Sequence, residues 1–294
     1  MPRRFVTLDV FTTQALAGNP LAVVLDADGL DTAAMQAIAR EFNLSETVFV
    51  LPPDDPRHRA RLRIFTPARE LPFAGHPTIG TAVLLALRAE NAGTADAVAF
   101  GLQEAVGTIP CVVEVADGTG RARFKLPVLP ESLGDAAEAA ELAAAFGLTT
   151  QDVGFGRHRP SRHGVGPSFT FVPVASRARL DAAQPGTLAG SPDGFFLYAP
   201  DDGGEAQAFQ ARMFAPALGM SEDPATGAAA AAFAGVLMQF ATLGDGTHDV
   251  AITQGVAMGR SSEIALQLVI EAAALRSVEV GGAALIVSEG LLHV

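Results

Sequence analysis

Two short stretches of the chain combine residue types that can bind and convert a small acid. Each has a polar residue before a proline, a glycine shortly afterwards and then a long apolar run, and they span residues 75–82 and 222–229. A polar residue suits the N-cap of a helix, and proline suits the first helical position, where its missing N–H costs nothing. We therefore predict two helix starts, with His76 and Asp223 as the N-caps.

The chemistry predicted for these helix starts is anion binding. A helix N-terminus presents N–H donors without intrahelical partners and about half a positive charge, which favours a carboxylate or a phosphate. Gly75 and Gly227 would allow the backbone to approach such a ligand closely. The simpler alternative is that the glycines and prolines only shape the helix starts. Asp223 would then be a plain N-cap, and His76 a hydrogen-bonded structural residue.

Glu46 is a third candidate for chemistry. It lies between a predicted helix and an apolar strand, next to Val48 and Phe49. Burial among such residues would disfavour the charged form of the carboxyl group and suit it to proton transfer. The alternative is an exposed glutamate in a connecting segment, and the local pattern does not separate the two.

Other motifs and the composition exclude several classes of function. The sequence has no phosphate-binding loop, no Gly-x-Ser-x-Gly elbow and no His/Cys spacing typical of a metal site, so we expect neither a cofactor nor a metal. A net charge of −12 makes nucleic acid an improbable partner. The apolar run 225–241 is too short for a membrane span. The single cysteine, Cys111, and the lack of a signal peptide lead us to expect a cytoplasmic location.

The order of the elements indicates an internal duplication. Pro77 and Pro224 are separated by 147 residues (224 − 77), and Gly80 and Gly227 by the same number. The helix after each motif is apolar on nearly every face, so it must be buried on all sides. The predicted strands before and after each helix supply that cover.

We therefore predict an α+β fold of two similar halves. Each half is a curled, mostly antiparallel, barrel-like sheet around a central apolar helix. The halves are 1–130 and 131–294, with exchange of C-terminal strands allowed and an active-site cleft between them. A helix capped by Asp31 is predicted over Thr32–Phe42, and a loop over Arg157–Pro167.

Taken together, several motifs give the chain an end-to-end resemblance to the phenazine-biosynthesis PhzF-like isomerase family. The motifs are Gly18-Asn19-Pro20-Leu21-Ala22-Val23-Val24, Ser45-Glu46-Thr47-Val48-Phe49, Phe73-Ala74-Gly75-His76-Pro77-Thr78, Glu222-Asp223-Pro224-Ala225-Thr226-Gly227, Gln254-Gly255, Gly259-Arg260-Ser261-Ser262 and Val280-Gly281-Gly282.

The resemblance implies a diaminopimelate epimerase-like fold and a cofactor-free isomerase that is often a homodimer. It implies that Glu46 is the catalytic acid/base, that His76 and Asp223 belong to the catalytic set, and that Gly75 and Gly227 bind substrate.

One position departs from the family pattern. The phenazine enzymes have a serine after the second glycine, whereas this chain has Ala228, which keeps the backbone N–H but has no hydroxyl. The phenazine substrate does not follow from the resemblance for that reason. Related racemases of this fold use a cysteine at each helix start, and a two-thiol mechanism is excluded here because the only cysteine lies elsewhere.

The leading hypothesis is a cofactor-independent isomerase of a small carboxylic acid. Backbone N–H groups at Gly75, His76, Gly227 and Ala228 would hold the carboxylate, and Glu46 would move a proton between two carbons. The alternatives are a non-catalytic small-carboxylate-binding protein on the same fold, or a cofactor-free lyase or hydrolase.

Overall fold

The computed structural model describes residues 2–89, 97–116, 118–186, 188, 194–201 and 207–294. They form two compact units. The first unit is Met1–Lys125 with Gly281–Val294, and the second unit is Leu126–Val280. The chain therefore divides between Lys125 and Leu126, near the expected boundary at residue 130, and its last segment belongs to the first unit.

Ten helices and strands occupy the part of the first unit before Leu126 that the structure describes. They are β1 (Arg3–Val10), β2 (Asn19–Val24), α1 (Thr32–Phe42), β3 (Glu46–Leu51), β4 (Ala60–Phe65), β5 (Glu70–Leu71), α2 (Gly75–Leu87), β6 (Val98–Glu104), β7 (Gly107–Ala116) and β8 (Thr119–Lys125).

The rest of the described chain carries α3–α5, the remaining strands and short 3-10 turns at Thr150–Asp152, Pro216–Leu218 and Val256–Met258. The elements are β9 (Glu131–Asp135), α3 (Ala139–Ala145), β10 (Ser161–Gly164), β11 (Ser168–Pro173), α4 (Arg177–Ala182), β12 (Phe195–Pro200), β13 (Ala208–Ala215), β14 (Met220–Asp223), α5 (Gly227–Phe240), β15 (Gly246–Gln254), β16 (Ser262–Glu271) and β17 (Ala274–Leu292).

The strands of the first unit close into a barrel. β1 pairs with β2, β2 runs parallel to β3, β3 pairs with β4, and β4 runs parallel to β6. β6, β7 and β8 continue as an antiparallel meander, and β17 closes the ring by pairing with both β8 and β1. This ring of eight strands has no open edge, because each strand has a neighbour on both sides.

The second unit repeats the same sequence of pairings. β10 pairs with β11, β11 runs parallel to β12, β12 pairs with β13, β13 runs parallel to β15, and β15 pairs with β16. β16 continues into β17 through a tight turn at Ala272 and Ala273, whose φ angles are 50° and 57°. The Asp245 carboxylate accepts both of their N–H groups. The shared order of parallel and antiparallel pairs is the order that an internal duplication produces.

Each unit is built around one apolar helix. Residues 75–84 of α2 are all buried, and the helix packs against β1, β2, β3, β6, β7 and β8. Gly80 permits this close packing, because a Cβ there would lie 2.6 Å from Leu21 Cδ2 and 2.7 Å from Val10 Cγ2. Helix α5 is buried along most of its length against β9, β10, β11 and β16. The prediction that both helices are enclosed by strands is confirmed.

The predicted helix starts are wrong in position. Helix α2 begins at Gly75 with Ala74 as N-cap, and α5 begins at Gly227 with Thr226 as N-cap. His76 therefore lies inside the first turn rather than at the cap. The proline after it is tolerated there because none of the first helical N–H groups has an intrahelical acceptor.

Asp223 is not an N-cap either, because it ends strand β14. It is paired there with Met213 of β13. The repeat also has a different register from the predicted one. The first helical residues, Gly75 and Gly227, are 152 residues apart (227 − 75) and not 147.

Two other local predictions had different outcomes. Helix α1 has the predicted bounds, and Asp31 caps it by accepting the Ala34 N–H at 2.8 Å. The loop predicted over Arg157–Pro167 is partly wrong, because it contains β10, which pairs with β9 and β11. Among the residues that the structure describes, no helix is long and apolar enough to cross a membrane.

We predict that Gly80→Val destabilises the first unit. The added atoms would overlap with the fully buried side chains of Leu21 and Val10. The strands of a closed ring cannot separate without breaking hydrogen bonds. We therefore expect the free energy of unfolding, measured with urea, to fall by about 2–3 kcal/mol. Gly244→Ala is the control, since a Cβ there has nothing within 4 Å, and we expect a change within ~0.5 kcal/mol. Equal stability of the two variants would contradict the packing described for α2.

Candidate active site

Glu46 is the first residue of β3, at the point where the chain leaves the connection after α1. Its backbone is in register with Leu21 of the parallel strand β2. The next three residues, 47–49, are fully buried, whereas the Glu46 side chain keeps 16% of its surface exposed. The carboxyl group therefore lies at the boundary between the core and accessible space.

His76 approaches this carboxyl group from helix α2. Its Nε2 lies 3.4 Å from Oε2 of Glu46, and its side chain is 5% exposed. Burial lowers the pKa of His76 to about 3, so the ring is neutral at physiological pH and the contact with Glu46 is not an ion pair. Among the described residues, Nε2 has no hydrogen-bond partner. A neutral imidazole at this distance can exchange a proton with the carboxyl group after a small adjustment.

The start of α2 places backbone donors next to this pair. The first intrahelical hydrogen bond runs from Thr78 N to Ala74 O at 3.2 Å. The N–H groups of Gly75 and His76 precede it, so they have no acceptor within the helix. The two predicted donors are therefore the first two N–H groups of the helix, where the dipole favours an anion.

A second carboxyl group, that of Glu104 at the end of β6, contacts the first turn of α2. It is 6% exposed, and its Oε1 is 2.7 Å from Thr78 Oγ1. Thr78 Oγ1 is also 2.7 Å from the carbonyl oxygen of Ala74. A hydroxyl has a single proton, so it cannot donate to both oxygens. The two contacts are compatible when Thr78 donates to Ala74 and a protonated Glu104 donates to Thr78.

The electrostatics of Glu104 agree with a protonated carboxyl group. Burial raises its pKa to about 8, and the Thr78 hydroxyl only partly opposes this effect. On the neighbouring strand β7, burial and then the proximity of Glu104 raise the pKa of Cys111 to about 12, so this thiol is neutral as well. Both groups are therefore uncharged at neutral pH.

In the second unit, a hydrogen-bonded turn holds Asp223 at the end of β14. Asp223 is 8% exposed, and its Oδ2 accepts the hydroxyl proton of Thr226. Gln254, which is fully buried at the end of β15, donates to Asp223 O at 2.8 Å and to Thr226 Oγ1 at 3.2 Å. Its own Oε1 accepts the Thr226 N–H at 3.2 Å. These bonds fix the backbone between the aspartate and the helix.

Gly227 and Ala228 are the first two residues of α5. The first intrahelical bond runs from Ala230 N to Thr226 O at 2.9 Å, so the N–H groups of Gly227 and Ala228 precede it. The turn stays compact because Gly255 has a φ of 77°, and a Cβ there would lie 2.6 Å from Pro224 O. The side-chain amide of Gln254 thus holds the turn by hydrogen bonds. Gly255 has a backbone conformation that residues with a Cβ rarely adopt.

Sequence comparison assigns the chain to a family. The profile of the family described as "Phenazine biosynthesis-like protein" (PhzC-PhzF) matches residues 8–290. The chain belongs to this PhzC-PhzF family. An uncharacterized isomerase of Mesorhizobium japonicum is 47% identical over 99% of each chain. The trans-2,3-dihydro-3-hydroxyanthranilate isomerase of Pseudomonas aeruginosa is 38% identical over 98% of each chain.

Solved structures share the fold of this chain. A predicted epimerase from Pseudomonas aeruginosa has a TM-score of 0.79 and 32% identity over 99% of each chain. A PhzF-family protein from Bacillus anthracis has a TM-score of 0.86 and 23% identity over the whole of both chains. A hydroxyproline epimerase of Agrobacterium vitis, 12% identical with a TM-score of 0.66 over 99% of this chain and 91% of that one, is similar in fold alone. The predicted diaminopimelate epimerase-like α+β fold is confirmed, and this PhzC-PhzF member is an isomerase.

Every residue that the sequence singled out lies at a helix start or beside one. The structure brings Glu46, His76 and Gly75 together in the first unit. Asp223 lies four residues before Gly227 in the second unit, where Ala228 comes directly after. Their catalytic and substrate-binding roles stay predictions.

Sequence reasoning missed the roles of four residues around these groups. Glu104 gave no local signal, because a glutamate at a strand end is ordinary. Thr78, Thr226 and Gln254 are part of the family motifs, but only the fold shows which groups they bond to. Among the described residues, no group of three or more His, Cys, Asp or Glu side chains is arranged to hold a metal ion.

We predict that Glu104 makes the stability of this PhzC-PhzF protein depend on pH. Its pKa is about 8 in the folded chain against 4.5 for an ordinary glutamate. The folded state therefore binds the extra proton between these values, and stability is lost as the pH rises from about 4.5 to about 8. Glu104→Gln keeps a donor for Thr78 without a titrating group. We expect it to remove on the order of 3 kcal/mol of the difference between unfolding free energies at pH 5.5 and pH 8.5.

The control for this experiment is Glu263→Gln on β16, where the glutamate is exposed. It should retain the wild-type pH dependence. If Glu104→Gln also retains that dependence, Glu104 is ionised in the folded protein and the assigned proton arrangement is wrong.

Proposed function

We propose that the protein is a cofactor-independent isomerase that moves a proton between two carbons of a small carboxylic acid. The observation that carries the proposal is the 3.4 Å contact between His76 Nε2 and Glu46 Oε2, next to the first N–H groups of α2. It combines a group able to take a proton, a neutral partner for that proton and donors for an anion. The isomerase names of the relatives support the reaction class.

The proposed binding mode uses the backbone donors at the helix starts. The N–H groups of Gly75 and His76 in the first unit, and those of Gly227 and Ala228 in the second, are the donors proposed for a substrate carboxylate. Helix dipoles favour the anion at both starts, so a chain with a net charge of −12 can still bind an acid. Asp223 and the neutral His76 orient the substrate or assist the proton transfer.

The proposed reaction conserves the composition of the substrate. The Glu46 carboxylate removes a proton from a carbon whose C–H bond is acidified by the neighbouring unsaturated system. The electron pair of that bond moves into the chain of double bonds, and the protonated Glu46 returns the proton to another carbon. One C–H bond breaks and another forms, and the double bond shifts.

We predict that Glu46→Gln abolishes turnover and retains binding. Loss of a general base of this kind typically costs 10²–10⁴-fold in rate. Turnover would be followed in D₂O by NMR of the substrate, and binding by the rise in melting temperature that a native-state ligand causes. Glu41→Gln, an exposed position on α1, is the control and should behave as wild type.

The same experiment separates the isomerase from the other two candidate functions. A protein that only binds a carboxylate would be stabilised by it but would never exchange a carbon-bound proton with D₂O. A lyase or hydrolase would change the mass of the product by more than the deuterium. Wild-type turnover in Glu46→Gln would contradict the role of Glu46.

We propose further that the substrate is recognised at Ala228 by the backbone alone. The residue is partly exposed and has no hydroxyl. Ala228→Ser would supply one, and we expect it to raise kcat/KM for trans-2,3-dihydro-3-hydroxyanthranilate, the compound named for the Pseudomonas aeruginosa relative. The gain expected from one added hydrogen bond is about threefold to tenfold. Ala228→Gly, which adds no hydroxyl, is the control; an equal gain in both variants would contradict the assignment.

A further inference from the structure

Arg212 of β13 is the centre of a buried network that ends next to Asp223. Its Nε and Nη2 donate to the two carboxylate oxygens of Glu222, at 2.9 and 2.8 Å. Its Nη1 donates to the carbonyl group of Ala183 at 2.6 Å, with two further carbonyl oxygens of α4 within 3.3 Å. The guanidinium also lies over the ring of Phe214, 4.8 Å from its centre. All three nitrogens of the guanidinium therefore donate hydrogen bonds, and one of its faces lies against an aromatic ring.

The first unit contains the same arrangement, in which one arginine donates to both carboxylate oxygens of a glutamate. We call this arrangement a fork in both units. Arg63 of β4 donates to both carboxylate oxygens of Glu70, at 2.7 and 2.6 Å, and lies 5.1 Å from the centre of the Phe65 ring. It also donates to the Thr32 hydroxyl of α1 at 2.9 Å. In both units the arginine thus joins a central strand, the short strand before the core helix and an outer helix.

The two forks differ in the residue that comes after the glutamate. In the first unit, Leu71 comes after Glu70 and is paired with Ile64. In the second unit, Asp223 comes after Glu222 and is paired with Met213. Ile64 and Met213 each come directly after the fork arginine, so Leu71 and Asp223 occupy the same place in the repeat. Only the second fork holds a strand that ends in a candidate catalytic carboxyl group.

The forks also differ in burial. The side chains of Arg212 and Glu222 are 9% and 10% exposed, against 25% and 37% for Arg63 and Glu70. A buried ion pair gains little net stability, because removing both charges from water offsets their attraction. A bidentate fork does, however, provide a fixed geometry for the strand that carries the glutamate.

We propose that Arg212 is a positioning residue for the reaction, which it serves by fixing Glu222 and thereby the adjacent Asp223. This inference rests on the proposed isomerase function. A side chain and its neighbour on a strand point to opposite faces, so a clamp on Glu222 sets the direction in which the Asp223 carboxyl projects. Thr226 and Gln254 hold the same aspartate from its other side.

The first test compares matched substitutions in the two forks. Arg212→Lys keeps the charge but cannot span both oxygens of Glu222. We expect it to lower kcat by ~10–100-fold with little change in KM, as a displaced group near the reacting atoms does. Arg63→Lys makes the same change in the first unit, and we expect kcat within ~3-fold of wild type because no catalytic group comes after Glu70.

The second test asks whether Arg212 acts through Asp223. In an Asp223→Asn background, Arg212→Lys should lower kcat by no more than ~2-fold, since the group that it positions is already lost. A purely structural arginine would reduce kcat by the same factor in both backgrounds, and that result would overturn the proposal. If Arg212→Lys does not fold, Glu222→Gln replaces it in the same cycle, with Glu70→Gln as its control.

The outcomes also separate this inference from the proposed function. No turnover and no deuterium exchange in the wild type would reject the isomerase reaction itself. Turnover that falls in Asp223→Asn but stays at the wild-type level in both Arg212→Lys and Glu222→Gln would reject only the role of Arg212.

Discussion

The burial of two helices that are apolar on almost every face is the constraint on which the rest of the structure depends. Neither α2 nor α5 has a polar side suited to water, so strands must cover each helix. A ring of strands does this in the first unit and leaves no edge unpaired. The N-terminal N–H groups of a helix enclosed in this way cannot be satisfied by the helix itself. The donors proposed to bind the substrate are therefore the first N–H groups of the two core helices.

Much of this was predictable from the sequence because it depends on local composition. The apolar runs predicted two buried helices, and their similarity predicted a repeated unit. The helix starts were predicted at the wrong residues, because proline is compatible with any of the first positions of a helix. Asp223 stays in a strand through bonds with Gln254, 31 residues away, which no local pattern contains.

The buried polar groups were the least predictable part of the site. Glu46 could not be distinguished from an exposed glutamate by its neighbours, and only the family resemblance indicated a role. Glu104 gave no signal in the sequence, because its proton is inferred from two oxygens that lie within hydrogen-bond distance of one Thr78 hydroxyl. Such groups are defined by tertiary contacts, and in a low-dielectric core each contact decides which protonation state is stable.

The duplication explains how one scaffold came to carry different groups in its two copies. When the units are aligned on their first helical residues, His76 corresponds to Ala228, and Leu71 corresponds to Asp223. The equivalence of His76 with Asp223 suggested by the proline spacing is therefore wrong. Each unit keeps the helix start and the arginine–glutamate fork, but places its ionisable group on a different side of that start. Identical copies would offer two equal groups, whereas these copies offer a neutral histidine and an aspartate.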